Sequence, residues 1–199
     1  MSFQHFHLDP RTRAVPNRRD QILDAAVAVL GSQGTRQLTH RAVDAHAGLP
    51  AGTTSNHFRT RHALLSGVLT HVAGHEHDRG ELLAASRPDD LAGALAGFVR
   101  YQLGEGRVET LARYALHLEA AWDDHLRHQL AASGAHAFAP LLAWLTTAGS
   151  PDPPADLRLL LDHLDGLVFH QLTMPAPEFD PEPSLRRVVA MVSPATEPG

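Results

Sequence analysis

Apolar residues recur at helical spacing along most of the chain, and no stretch alternates as a half-buried strand does. Asn17 is placed to cap a first helix, with Asp20 in its opening turn. Ile22, Leu23, Ala26, Val27 and Leu30 supply its inner face, and Gly31 and Gly34 are read as its end. Thr39 caps a second helix whose inner face is Ala42, Val43 and Ala47, and Gly48 supplies the left-handed residue of a tight turn. A third helix is expected from about Ala51 to His57, too small and polar to form a core by itself. Such a helix suits the DNA major groove. Phe58 is expected to pack back on the first helix, and Thr60 to cap a fourth that runs to about Arg79 with Leu64, Leu65, Val68, Leu69 and Val72 inward.

Beyond Gly80 the stripes lengthen. Ser86-Arg-Pro-Asp-Asp opens a helix carrying Leu91, Leu95, Phe98, Val99 and Leu103, which Gly104 and Gly106 break. Leu111, Tyr114, Ala115, Leu118 and Trp122 follow, and Asp123-Asp124 divides that stretch from a helix reaching Leu130. Phe138, Leu141, Leu142 and Leu145 form another stripe. Pro151-Asp-Pro-Pro154 is a linker before the longest one, Leu157 to Leu172. Four prolines, at 175, 177, 181 and 183, precede a short terminal helix from Ser184 to Val192. The chain therefore reads as all-α, with eight to ten helices.

Charge sharpens this division. The net charge is -5, yet residues 11–61 hold eight arginines against three acids and carry +5, leaving -10 on the rest. A basic segment on an acidic body is the footprint of a polyanion-binding module. All 17 basic residues are arginine, the side chain that makes forked contacts with phosphate or guanine. There are no cysteines, which excludes disulfides and thiolate metal sites. No apolar run is long enough to span a bilayer, and the N-terminus lacks signal-peptide blocks, so a cytoplasmic protein is expected.

These residues resemble the TetR family of bacterial transcriptional regulators. The resemblance rests on Ile22-Leu-Asp-Ala-Ala26, Gly34, Leu38-Thr39, Ala47-Gly48, Gly52-Thr53, His57-Phe58 and Leu64-Leu65, in the family's order and spacing. Where the family often has Leu-Tyr after Gly-Thr, this chain has Thr54-Ser55; Ser55 offers one hydrogen bond without the ring. The resemblance implies a flexible arm at 1–15, a three-helix helix-turn-helix DNA-binding domain at 16–62, and a helical ligand-binding and dimerisation domain at 63–199.

A recognition helix presents its N-terminal half to base edges. Here that half is Ala51, Gly52, Thr53 and Thr54, then Ser55 and Asn56. Thr53 and Thr54 offer hydroxyls, and Asn56 suits bidentate pairing with adenine. Thr39, His40 and Arg41 open the preceding helix, where backbone amides favour a phosphate. His57 and Arg61 read as phosphate contacts. One such module covers too little DNA, so a homodimer on a palindromic operator is expected. Its candidate faces are Phe138, Leu141, Leu142 and Leu145, with Leu157, Leu160, Leu161, Leu164, Gly166 and Val168.

The family's C-terminal domain encloses a small-molecule pocket. Phe98, Tyr101, Tyr114, His117, Leu118, Trp122, Trp144, Phe169 and His170 are the candidate lining, and core packing is the alternative for each. A mostly apolar pocket suits a hydrophobic effector. There are 15 histidines, including His71 and His75 four apart, but no His-Glu-x-x-His. They are read as compositional, and neither a metal nor a cofactor is expected. The rival readings are an architectural DNA-binding protein without an effector and a histidine-based metal enzyme or metal sensor.

Overall fold

The computed structural model describes residues 17–85 and 90–192. The arm expected at 1–15 and the helix opening expected at Ser86-Arg-Pro-Asp lie outside the described residues. Within them are ten α-helices and one 3-10 turn, and no strand. The helices are α1 (Arg18–Gln33), α2 (His40–His46), α3 (Thr53–His57), α4 (Arg61–Ala85), α5 (Leu91–Leu103), α6 (Arg107–Ala120), α7 (Asp124–Ala137), α8 (Ala139–Thr147), α9 (Pro153–Thr173) and α10 (Glu182–Val192). None is long and apolar enough to cross a membrane.

The starts follow their caps. The side chains of Asn17, Thr39, Asp90, Asp123 and Asp152 each accept a hydrogen bond from a first-turn amide of the helix that follows. Thr60 does the same for the Ala63 amide at the head of α4. α7 reaches Ala137 rather than Leu130, α9 begins at Pro153 inside the expected linker, α10 begins at Glu182 rather than Ser184, and three further boundaries differ at glycines. α1 continues through Gly31 because α6 crosses there: a Cβ on Gly31 would overlap the Val108 carbonyl. α3 starts only at Thr53, because Gly52 is left-handed, with φ 91°. α4 runs past Gly80 to Ala85, since Gly80 brings it close to the Ala137 carbonyl of α7 rather than ending it.

Two hydrophobic clusters hold the chain. The first joins Ile22, Ala26, Val29 and Leu30 of α1 to Val43 of α2, Phe58, and Leu64, Val68 and Val72 of α4. It also takes in Ala112 and Leu116 of α6 and Leu126 of α7. The boundary expected at residues 62–63 thus falls inside a shared core. The second cluster joins Leu95 and Val99 of α5, Leu145 of α8, Leu160, Leu164 and Val168 of α9, and Leu185 and Val192 of α10.

Candidate nucleic-acid interface

α3 spans five residues, far below the length at which a helix holds itself together in water. It is held instead by Asp44, a buried carboxylate on α2. Asp44 Oδ2 accepts the Gly52 amide at 2.8 Å, and Oδ1 accepts the Thr54 amide at 2.7 Å and the Thr54 hydroxyl at 2.5 Å. Asp44 caps α3 from across the turn and fixes the two helices relative to each other. Burial works against its charge, but the bonds from Thr54 and Gly52, helped by His40, hold its pKa below the usual carboxylate value. Asp44 was not among the sequence candidates. The signal for it was an acid beside Val43 on the inward side of α2, with unpaired amides opposite.

The same bond corrects one candidate. Thr54 is 0% exposed and spends its hydroxyl on Asp44, so it faces away from any DNA. His40 is also redirected: its Nε2 donates to the Phe58 carbonyl at 2.6 Å, tying the start of α2 to the end of α3. Arg61 is exposed, with Nη2 donating to the Thr35 carbonyl at 3.0 Å and 3.4 Å from Glu119 Oε1 on α6. The hydroxyl of Thr53 donates to the Pro50 carbonyl and that of Ser55 to the Gly52 carbonyl; both oxygens keep lone pairs. Thr39, Arg41, Ala51, Gly52, Ser55, Asn56 and His57 are exposed, and Thr53 is half-buried. Arg59, absent from the candidates, is exposed beside them. Behind α3, Phe58 is buried under the Arg19 guanidinium, 4.7 Å from the ring centre, and against Gly67, where a Cβ would collide with the ring. Gln21 of α1 donates to the Ala47 carbonyl at the turn. The result is a rigid unit with a small, polar outer face.

The candidates of the C-terminal region are more dispersed. Trp122 is 92% exposed and Leu118 67%. Phe169, His170 and His117 are exposed too, so none of the five lies in an enclosed pocket. Tyr114 meets Phe169 edge-on at 5.7 Å and His117 at 6.5 Å, which forms an outward cluster on α6 and α9. Trp144 packs on the second hydrophobic cluster, and Phe98 is half-buried on α5. Tyr101 alone of the nine lines the narrow space between α4, α5 and α6, which has room for only about 10 Å³. Among the dimer candidates, Leu141, Leu145, Leu160, Leu164 and Val168 are buried in the chain's own core, a correction to that reading. Phe138, Leu142, Leu157, Leu161 and Gly166 are half-buried. The periodicity that suggested a contact face marks the inner face of α8 and α9.

The centre of this region is polar. Arg79 of α4 donates to Glu109 of α6 at 2.6 Å and lies 5.2 Å from the Tyr101 ring centre. Arg113 Nη1 donates to Asp165 of α9 at 2.8 Å, while its Nε, 3.3 Å from Glu76, has no hydrogen-bond partner. Burial pushes Glu76 up against the pull of Arg113 and Arg79. Burial also opposes the Glu109 charge, but bonds from His75 and Arg79 and the Arg79 charge bring its pKa down to about 2. Burial takes the Tyr114 hydroxyl up to about 12 despite Arg113 beside it.

The α2–α3 unit and the helical body behind it match known families in both halves of the chain. Residues 22–68 match the family model described as bacterial regulatory proteins, tetR family, and residues 86–195 match the tetracyclin repressor-like C-terminal domain. The chain belongs to the TetR family. It is a helix-turn-helix DNA-binding transcriptional regulator of that family. A TetR-family member from Streptomyces coelicolor A3 is similar at 30% identity, over 89% of this chain and 99% of its own, with a TM-score of 0.71. The multidrug binding protein EbrR complexed with imidazole is similar at 30% identity, over 92% of this chain and 99% of its own, with a TM-score of 0.66. A transcriptional regulator from Rhodococcus sp. Rha1 shares the fold, with a TM-score of 0.74 at 24% identity over 88% of this chain and 95% of its own. No curated protein matches the chain. Within the TetR frame, Thr54 stands where relatives often carry leucine. That position faces inward, and the threonine there is satisfied by Asp44.

Proposed function

We propose that the chain is a cytoplasmic, non-enzymatic repressor that binds a palindromic operator as a homodimer and leaves it when a small molecule binds the C-terminal domain. The observation that carries this reading is the Asp44-locked α3, whose outer face presents Thr53, Ser55, Asn56 and His57 beside Arg41 and Arg59. Asn56 is the base-reading residue. Thr39, Arg41, His57 and Arg59 hold phosphates, and Ala51 and Gly52 allow close approach. Arg61 acts at the joint between the DNA-binding head and the body.

The domain division is that of the family: the reading head to residue 62 and an effector and dimerisation domain from 63. The dimer face is the outward side of α9, where Leu159 and Phe169 are exposed and Gly166 allows close approach. EbrR has also been solved with ethidium, proflavin and malachite green, at 29–30% identity to this chain. That supports an aromatic effector. It enters between α4, α5 and α6, where the space beside Tyr101 and Val72 is closed at about 10 Å³. A ligand that favours an opened form there moves α4, which runs directly from the reading head, and so biases the heads away from DNA.

Nuclease footprinting on the DNA upstream of the chain's own gene tests this. The expected result is a two-fold symmetric protected site. A one-sided or absent footprint would overturn the operator and dimer reading together.

A further inference from the structure

α1 and α4 cross beside an open groove of about 630 Å³, lined by His57, Ser66, Thr70, His71, His75 and Asp78 among others. At its edge stand His71 and His75, one turn apart on α4, with their ring centres 4.5 Å apart. Asp24 reaches across from α1 and accepts from His71 Nε2 at 2.8 Å. One ring nitrogen of each histidine and one oxygen of Asp24 all lie within 4.8 Å of one another. Among the described residues no other group of three histidine or acidic side chains brings its ligand atoms this close. The stacked pair His77 and His136 and the tilted pair His62 and His125 each have a carboxylate beside one ring, Glu81 and Asp123, but neither set gathers its ligand atoms as closely.

We infer that Asp24, His71 and His75 form a binding site for a divalent transition-metal ion, with zinc(II) as the first choice, and that the ion ties α1 to α4.

The chemistry fits. Two imidazoles and a carboxylate without thiolate suit zinc, nickel or copper. Zinc bonds of about 2.0–2.1 Å place tetrahedral donors about 3.4 Å apart. The Asp24–His71 pair, at 2.8 Å, therefore opens slightly and the wider separations, at most 4.8 Å, close by an ångström or so, which rotation of an exposed Asp24 and two half-buried histidines supplies. The His75 ring is already oriented: Nδ1 faces Glu109 Oε1 at 3.3 Å, which leaves Nε2 for the ion. A carboxylate behind a ligating imidazole is the usual support of such sites. Glu109 is itself fixed by Arg79. The groove gives an entry path and leaves the remaining coordination position to water. Its lining carboxylates, Asp20 and Asp78, add negative charge, while Arg19 is occupied over Phe58. The ion would sit where the reading head meets the body, and the inference does not depend on what that head binds.

The experiment uses the full chain stripped of metal with a chelator and titrated with zinc(II) against a chromophoric competitor. One tight equivalent per chain is expected. Asp24→Asn and His75→Ala, each checked for fold by circular dichroism, should weaken that equivalent by about 100-fold or more. Hydrogen exchange should slow in both α1 and α4 on zinc addition in the unaltered chain, and in neither variant. No tight equivalent would leave the trio as a plain hydrogen-bonded link between helices and overturn the inference. A tight equivalent that survives both substitutions would assign the zinc to other histidines and overturn it equally.

Discussion

The reading head and the body solve the same packing problem by opposite means. The head is small, and its key helix is too short to stand alone, so a single buried carboxylate, Asp44, organises it through three local hydrogen bonds. The body has long helices with ample apolar faces, yet it places a charged network of Glu76, Arg79, Glu109, Arg113 and Asp165 between α4, α6 and α9. A rigid head reads a fixed surface. A body joined through polar contacts has a seam that can reopen, because its groups can exchange partners with a ligand or water.

The sharpest way to break this comparison is Asp44→Ala. It strands the buried Thr54 amide and hydroxyl, removes the partner of the Gly52 amide, and is expected to cost about 4 kcal/mol, with loss of specific DNA binding. Denaturant unfolding and operator titration measure the two effects. A small cost would mean that α3 is held by packing alone.

The seam is probed by acid. Glu109 has a folded pKa of about 2 against an ordinary value of 4.5, so its stabilisation is fully present above pH 4.5 and is lost as pH falls from there toward 2. The contribution is about 3 kcal/mol. Glu109→Gln should lower stability at neutral pH and flatten that part of the acid-unfolding curve. Glu76 opposes it: its raised pKa makes ionisation costly, a penalty absent below the ordinary value of 4.5, growing as pH rises from there to the folded pKa, and complete above it.

Gly31→Ala tests where head and body are locked. In an unobstructed helix this change stabilises by roughly 1 kcal/mol. Here the new Cβ meets the Val108 carbonyl, and a net loss of about 2 kcal/mol is expected by urea unfolding. The smallest effect belongs to Trp122→Ser, within about 0.5 kcal/mol, because that ring is 92% exposed.

The same contrast explains what the sequence disclosed. Caps and turn glycines act locally, so Asn17, Thr39, Gly48, Thr60 and Asp123 were legible, as was the all-helical class. Asp44 was hidden because its partners lie eight and ten residues away across a turn. The contact of Arg61 with Glu119 was hidden for the same reason, because that partner is 58 residues distant. Leucine stripes on α8 and α9 mark burial without saying whether the partner is this chain or a second copy. Aromatic residues such as Trp122 and Phe169 show only that they are large, not that they face inward.

The central claim, that the outer face of α3 reads base edges, is tested most directly at Asn56. Binding of Asn56→Ala is compared by fluorescence anisotropy on the protected site and on scrambled DNA of equal length, at one salt concentration. The account predicts a loss of about 1–3 kcal/mol on the specific site, with scrambled DNA nearly unchanged. An equal loss on both would make Asn56 a backbone contact, and no loss on either would contradict the claim.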